Sequence, residues 1–385
     1  MKITHLMLAC FYIDNFSYQE NLLPKYHKKM GYDVEIIASL ESYDSNGESI
    51  YLDEGSKYVN EDGIPVTRLE YKRFPGANKL RYYIGLRQEL DRIAPDVIFI
   101  HGVQFCDIRE VAKYCKLHKN VIVYADNHSD FSNSARNWVS KRILHEIVWR
   151  RCAQIINPYV KKFYGVLPAR VDFLVNEYKL PKDKVELLVM GADDGEVNAA
   201  EDIQVRREVR KRYSIQEDDF LIMFGGKIDA FKTQILLLMD AVNNIADSSV
   251  KLIVFGSVTQ ELKAEVENRC SDKVQYIGWK KPKESYPLFA ASDLVVFPGR
   301  HSVFWEQVAG QGIPMLCKKW DGTTHVDLGG NVIFLTNDSQ EEIEKYISEL
   351  SKKGDLYIKM KNVAQTVAAK HFLYSEIAKR SIEKD

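Results

Sequence analysis

Short apolar runs recur along the chain, each bounded by glycine, proline or charged residues, with amphipathic stretches between them. Two runs are the clearest: Pro95-Asp-Val-Ile-Phe-Ile-His-Gly102 and Phe220-Leu-Ile-Met-Phe-Gly-Gly-Lys227. They lack polar alternation and are apolar almost throughout, which predicts strands covered on both faces, as in a parallel sheet. Such strands are expected over 3–12, 33–38, 95–102, 121–124 and 185–192. A second series is expected over 220–227, 250–256, 274–279, 293–297, 314–317 and 332–335. Between them, helical spacing runs over 22–30, 78–93, 108–118, 138–156, 170–177 and 203–213. It resumes over 235–245, 259–270, 284–291, 339–352, 356–370 and 374–382. Short strands are expected at 63–69 and 154–157, and a short helix at 160–165. Strand alternating with helix in two successive series predicts an α/β chain of two doubly wound parallel sheets.

Composition narrows the class. A chain of 385 residues can bury two full cores. A net charge of −1 argues against nucleic acid as the main partner. The six cysteines are dispersed without CxxC spacing, which predicts reduced thiols and a cytoplasmic setting. The apolar start at 3–12 has one lysine before it and no small-residue cleavage site, so a first core strand is expected rather than a signal peptide. No apolar run reaches the roughly 18–20 residues of a membrane helix.

The richest chemistry lies in Phe297-Pro-Gly-Arg-His-Ser-Val-Phe-Trp-Glu306-Gln-Val-Ala-Gly-Gln-Gly-Ile-Pro314. Pro298-Gly299 breaks the preceding strand, Ser302 is placed to cap a helix, and Gly310, Gly312 and Pro314 end it. A helix N-terminus offers unpaired N–H groups and a positive dipole end to an anion. Glu306 sits one turn in, where it can reach sugar hydroxyls. The plain alternative is an ordinary turn of a doubly wound sheet. A second place is Asp126-Asn-His128, which leaves the carboxyl end of a strand, where catalytic groups of such sheets gather. A neutral imidazole both donates and accepts a hydrogen bond, so His128 suits a hydroxyl ligand. His101, at the end of another strand, is its competitor.

Glu306-x-x-Ala309-x-x-Gly312-x-Pro314 after an apolar strand resembles the donor-site motif of retaining GT-B glycosyltransferases, and more narrowly of glycosyltransferase family four. The resemblance covers nearly the whole chain and is strongest in 220–320. It implies two Rossmann-like domains facing a cleft: 1–195 on the acceptor side and 196–370 for the donor. A C-terminal helix, 371–385, would cross back to the first domain. Glu306 matches the second of two family glutamates and would bind the ribose. Pro298 stands where the first is expected, so His301 or Ser302 would fill that space, with Val303 beside them among the donor-binding residues. Gly226, Lys227 and Lys232 resemble the family's diphosphate cradle, whose cations stabilise the leaving diphosphate most in the transition state. Gly278 ends the strand where the base is met. Tyr18 and Gln19 stand in the first loop, in place of a glycine pair, and His128 would face the reacting sugar in the cleft.

The implied activity is retaining transfer of a hexose from a UDP- or GDP-linked donor to a hydroxyl acceptor. The setting would be bacterial surface polysaccharide or glycoconjugate assembly, with no metal or other cofactor. Two alternatives stay open: an epimerase of the same fold and a non-catalytic GT-B subunit.

The acceptor side carries one further signal. On the helix over 138–156, Ile143, Leu144, Ile147 and Val148 share one face at helical spacing and are expected to pack on the sheet. Trp138, Arg142, His145 and Trp149 form a second stripe, with Arg150 beside it. Between Ser134 and Arg170 eight basic residues stand against one acid, Glu146. Tryptophan with arginine on an outward face predicts a peripheral surface for anionic lipid, and a saccharide or lipid-linked saccharide acceptor.

Overall fold

The computed structural model describes residues 1–43, 49–131, 133, 134, 137, 138 and 140–382. The chain divides into two compact units, Met1–Val189 together with the residues from Ile377 on, and Met190–Glu376. Residues 190–195, grouped with the first domain from sequence, are bonded within the second unit. Ala192 N–H donates to Phe372 O, Tyr374 N–H donates to Ala192 O, and Asp193 N–H donates to Tyr286 Oη. Residues from Ile377 on, the end of the helix Tyr374–Ser381, belong with the first unit.

Among the described residues the first unit is built on ten strands: β1 (Lys2–Met7), β2 (Asp33–Ala38), β3 (Glu41–Tyr43), β4 (Ser49–Tyr51), β5 (Lys57–Val59), β6 (Pro65–Arg68), β7 (Val97–His101), β8 (Ile122–Asn127), β9 (Val160–Gly165) and β10 (Val185–Leu187). Eight of them form one sheet in the order β10-β9-β8-β7-β1-β2-β6-β5, parallel except for β5 on β6; β3 and β4 pair apart as a hairpin. The chain moves outward from β1 through β2 to β6, then returns to the other side of β1 with β7. The strand order therefore reverses between β1 and β7. All five residues of β7 are buried, as its unbroken apolar run requires.

The second unit has six parallel strands: β11 (Phe220–Gly225), β12 (Val250–Phe255), β13 (Val274–Tyr276), β14 (Leu294–Phe297), β15 (Met315–Lys318) and β16 (Val332–Leu335). Their order is β13-β12-β11-β14-β15-β16, so this sheet reverses between β11 and β14. All six residues of β11 and all four of β14 are buried.

Three sequence expectations need correction. Residues 160–165 are strand β9, not a helix. Lys161 and Lys162 interrupt the apolar run, but parallel partners on both sides complete its hydrogen bonds. Residues 154–157 are not a strand. They finish the helix Arg150–Ile156, which buries Cys152, Ala153 and Ile156 at helical spacing. The expected helix over 78–93 is two, Ala77–Leu80 and Leu86–Ile93, because Arg81 (φ 58°) and Gly85 (φ 81°) take left-handed backbone between them. The helix Asp194–Ala200 was not foreseen; Asp193 caps it by accepting from Gly195 N–H.

The stripe assignment on the helix over 138–156 is also corrected. Residues Ser140–Trp149 form a π-helix, with more residues per turn than the α-helix assumed in aligning the stripes. His145 and Trp149 are buried, whereas Ile143 and Ile147 (61% exposed) face outward with Trp138 (69% exposed) and Arg142. Arg142 pairs with Glu146 at 2.9 Å. Arg150 is half-buried and donates to Glu177 O. Residues 136 and 139 of this stretch lie outside the described residues. Among the described residues no helix is long and apolar enough to cross a membrane.

Candidate active site

Ligands of doubly wound sheets settle beyond the carboxyl ends of the strands, where the strand order reverses. In the second unit that place is the gap between β11 and β14, and a recess lies there. Gly225, Gly226 and Lys232 line it from the β11 side; Phe297, Gly299, Arg300 and Ser302 line it from the β14 side. Glycine is required where β11 and β12 end. A Cβ on Gly256 would lie 1.8 Å from Gly226 O, and one on Gly225 would lie 2.4 Å from the Phe255 ring.

The recess is cationic. The pKa of Lys232 is lowered, first by burial; Asp229 opposes the shift, while Lys227 and Arg300 add to it. Three cations near one carboxylate favour an anion between them. Arg300, which was not singled out from sequence, also stacks over Phe231 at 5.4 Å. Lys227 is 62% exposed and sits 3.7 Å from Asp229 rather than in the lining. Gly278 (φ 73°) accepts a hydrogen bond from Gly256 N–H and is not part of the lining either. Val303 is exposed and occupies the cap position of the helix Phe304–Gly310, one residue later than expected; Ser302 Oγ is 3.4 Å from Phe304 N.

Glu306 lies in that helix and is fully buried. Its Oε1 accepts from His301 Nε2 at 2.7 Å and from His325 Nε2 at 2.8 Å. Burial pushes the carboxyl pKa up, but the His301 and His325 imidazoles outweigh it and hold the group well below the usual range. Oε2 has no hydrogen-bond partner. His325 was missed from sequence because it reaches Glu306 from nineteen residues on, by tertiary packing rather than local spacing.

In the first unit the reversal point lies between β1 and β7, and polar groups gather beside it. Asp126, near the end of β8, is fully buried. Its Oδ2 accepts from Gln19 Nε2 at 2.9 Å, and its Oδ1 accepts from Gly102 N–H at 3.2 Å. His128 Nε2 is 3.5 Å from Asp126 Oδ2 and 3.9 Å from Glu20 Oε1. Burial works against the His128 imidazolium, but Glu20 and Asp126 outweigh it, so its pKa is raised. His101 and His128 are therefore not rivals; both stand against one carboxylate. Gln19 begins the helix Gln19–Lys29, and Tyr18 caps it with an exposed side chain. His5 and His27, which were not singled out, are buried and continue from His101 in a hydrogen-bonded row.

Residues 219–352 match the family model of Glycosyl transferases group 1. No curated protein sequence matches the chain. Solved structures do. Anabaena HepE, in complex with UDP, aligns with TM-score 0.69 at 16% identity, over 99% of this chain and 98% of that one. A glycosyltransferase from Rickettsia africae aligns with TM-score 0.68 at 13% identity, over 100% and 99%. The UDP-GlcNAc 2-epimerase from Neisseria meningitidis, bound to UDP-GlcNAc, aligns with TM-score 0.61 at 12% identity, over 99% and 98%. The chain therefore has the α/β GT-B-like fold of two parallel-sheet units, with a group 1 glycosyltransferase match over most of the second.

Proposed function

We propose that this chain is a glycosyltransferase that moves a sugar from a nucleoside diphosphate sugar to a hydroxyl acceptor, with retention at the anomeric carbon. The observation that carries the reading is the cationic recess at the reversal point of the second sheet, lined by Gly226, Lys232 and Arg300 inside the matched segment. A diphosphate fits that charge without a metal ion. Lys232 and Arg300 oppose the negative charge that develops on it as the glycosidic bond breaks. Glu306 is held as a carboxylate by His301 and His325, which supports a role in accepting the two ribose hydroxyls at Oε2. His128 serves the sugar or acceptor from the first unit. The donor is a UDP- or GDP-linked hexose, and the product belongs to a bacterial surface polysaccharide or glycoconjugate.

Trp138, Ile143 and Ile147 are exposed beside Arg142 and Arg151, which supports a peripheral membrane site and a lipid-linked acceptor. Flotation with anionic liposomes at low salt tests this part. Wild type is expected to float, and Trp138→Ala with Ile147→Glu to stay behind.

Calorimetry with UDP and GDP tests the main reading. One of the two is expected to bind wild type, and Lys232→Ala with Arg300→Ala is expected to lose it. A second reading, a nucleotide-sugar epimerase, is favoured by the fold shared with the Neisseria enzyme. It predicts an epimerised nucleotide sugar with no acceptor present.

A further inference from the structure

Cys106 and Cys152 lie side by side in the core of the first unit, where the turn after β7 meets the helix Arg150–Ile156. Neither is in a disulfide. Backbone bonds fix the turn: Cys106 N–H donates to Leu80 O at 2.9 Å, and Asp107 N–H donates to Arg81 O at 3.4 Å. That seats Cys106 against Tyr82, a half-buried ring packed on Phe74 at 5.2 Å and covered by the Lys72 ammonium at 5.4 Å. The Cys106 sulfur accepts hydrogen bonds from the Cys152 thiol and from the Tyr82 hydroxyl. At 6% exposed it is within reach of a small solute.

The surroundings give the two sulfurs unequal roles. The bond from Cys152 favours a thiolate on Cys106, and so do the Tyr82 hydroxyl and the Arg109 guanidinium. Burial and Asp107 oppose them, and the Cys106 pKa falls below the ordinary thiol value. Cys152 is the donor of the shared bond. That bond, burial and the charge on Cys106 raise its pKa against Arg109 and Arg151, so Cys152 keeps its proton. For the buried thiols of Cys115 and Cys317, burial dominates and pushes the pKa up. The thiolate is the nucleophile, so in this pair one sulfur is set to attack and its neighbour to resolve.

We propose that Cys106 and Cys152 are a redox-active dithiol that a hydroperoxide closes to a disulfide. The Cys106 thiolate attacks one peroxide oxygen, the O–O bond breaks, and the departing hydroxide takes up a proton from solvent, which leaves Cys106 as a sulfenic acid. The Cys152 sulfur then attacks the Cys106 sulfur. The S–S bond forms, the S–O bond breaks, and the hydroxide leaves with the Cys152 proton as water. The two cysteines lose two electrons, and the hydroperoxide gains them. The new bond ties the turn after β7 to the helix Arg150–Ile156. The same turn carries Gln104, which donates to Asn127 Oδ1 and Ser129 Oγ on either side of His128. This pair lies wholly in the first unit and does not rest on the nucleotide reading of the second.

The test treats reduced wild-type protein with hydrogen peroxide at neutral pH, alkylates it in denaturant and maps the peptides by mass spectrometry without reduction. A peptide pair joined through Cys106 and Cys152 is expected, and dithiothreitol is expected to separate it; the exposed Cys270 is read on its own peptide. Cys152→Ala is expected to stop at a Cys106 sulfenic acid that dimedone captures, and Cys106→Ala to leave Cys152 unoxidised. Tyr82→Phe keeps the ring and loses one hydrogen bond to the thiolate, so the pH midpoint of Cys106 alkylation is expected to rise by about one unit. Both thiols intact after peroxide in wild type, a disulfide from Cys106 to any other cysteine, or Cys152 oxidised as fast in Cys106→Ala as in wild type would each overturn the proposal.

Discussion

Glu306 holds a negative charge out of contact with water, and two imidazoles make that possible. Its orientation is fixed before any ligand arrives, because His301 and His325 both bond to Oε1. Removing it should weaken nucleotide binding while the sheet survives. A hydrogen bond to a charged group is worth about 1.5–3 kcal/mol, so Glu306→Ala should cost roughly tenfold to a hundredfold in affinity. Calorimetry with the preferred nucleoside diphosphate measures it, and unchanged affinity would contradict the ribose role. The two lysines should separate. Lys232 lines the recess, so Lys232→Ala is expected to lower kcat by about 10²–10³. Lys227 is solvated beside Asp229 and should cost far less. Steady-state kinetics of both variants decide this. At this scale the sequence was readable where candidate residues sit in a local motif. Glu306 and Lys232 follow from spacing along one strand–turn–helix, whereas His325, His5 and His27 arrive by tertiary packing and leave no local pattern.

Among the elements, the helix through Ser140–Trp149 departs most from its sequence pattern. Stripes drawn at α-helical spacing put Ile143 and Ile147 inward; the wider π turn buries His145 and Trp149 instead. Periodicity reads such an element wrongly because it presumes the period. Strand β9 misled for a different reason, since two lysines hid a strand whose hydrogen bonds come from its neighbours. The burial of His145 has a measurable result. Burial lowers its pKa from 6.5 to about 4, and it is held by Ser134 Oγ and Tyr178 Oη. The unfolded chain therefore binds a proton between those values that the folded chain refuses. This contribution to stability is complete above about pH 6.5 and is lost as pH falls toward 4, by up to about 1.4 kcal/mol per pH unit. In denaturant melts across this range, His145→Gln should show a slope shallower than wild type by close to one proton. An identical slope would mean His145 titrates normally.

Across the whole molecule, each unit places its candidate chemistry where its own sheet reverses order, between β1 and β7 and between β11 and β14. Alternating apolar runs and helical spacing sufficed to foresee two parallel sheets. They did not foresee that 190–195 bond within the second unit, because Ala192 is tied there by backbone contacts to Phe372 and Tyr374. The proposed division of labour between units yields a prediction: His128→Ala should bind nucleoside diphosphate as wild type does and transfer sugar poorly. Equal loss of nucleotide binding in His128→Ala and Glu306→Ala would contradict it. The central claim, that the recess of the second unit cleaves a nucleoside diphosphate sugar, is tested most directly by donor hydrolysis. The protein is incubated with UDP- and GDP-hexoses without acceptor, and free sugar and nucleoside diphosphate are quantified. The account predicts slow, equimolar release from one donor that Lys232→Ala abolishes. Release from none of them, or an epimerised nucleotide sugar with no diphosphate freed, would contradict it.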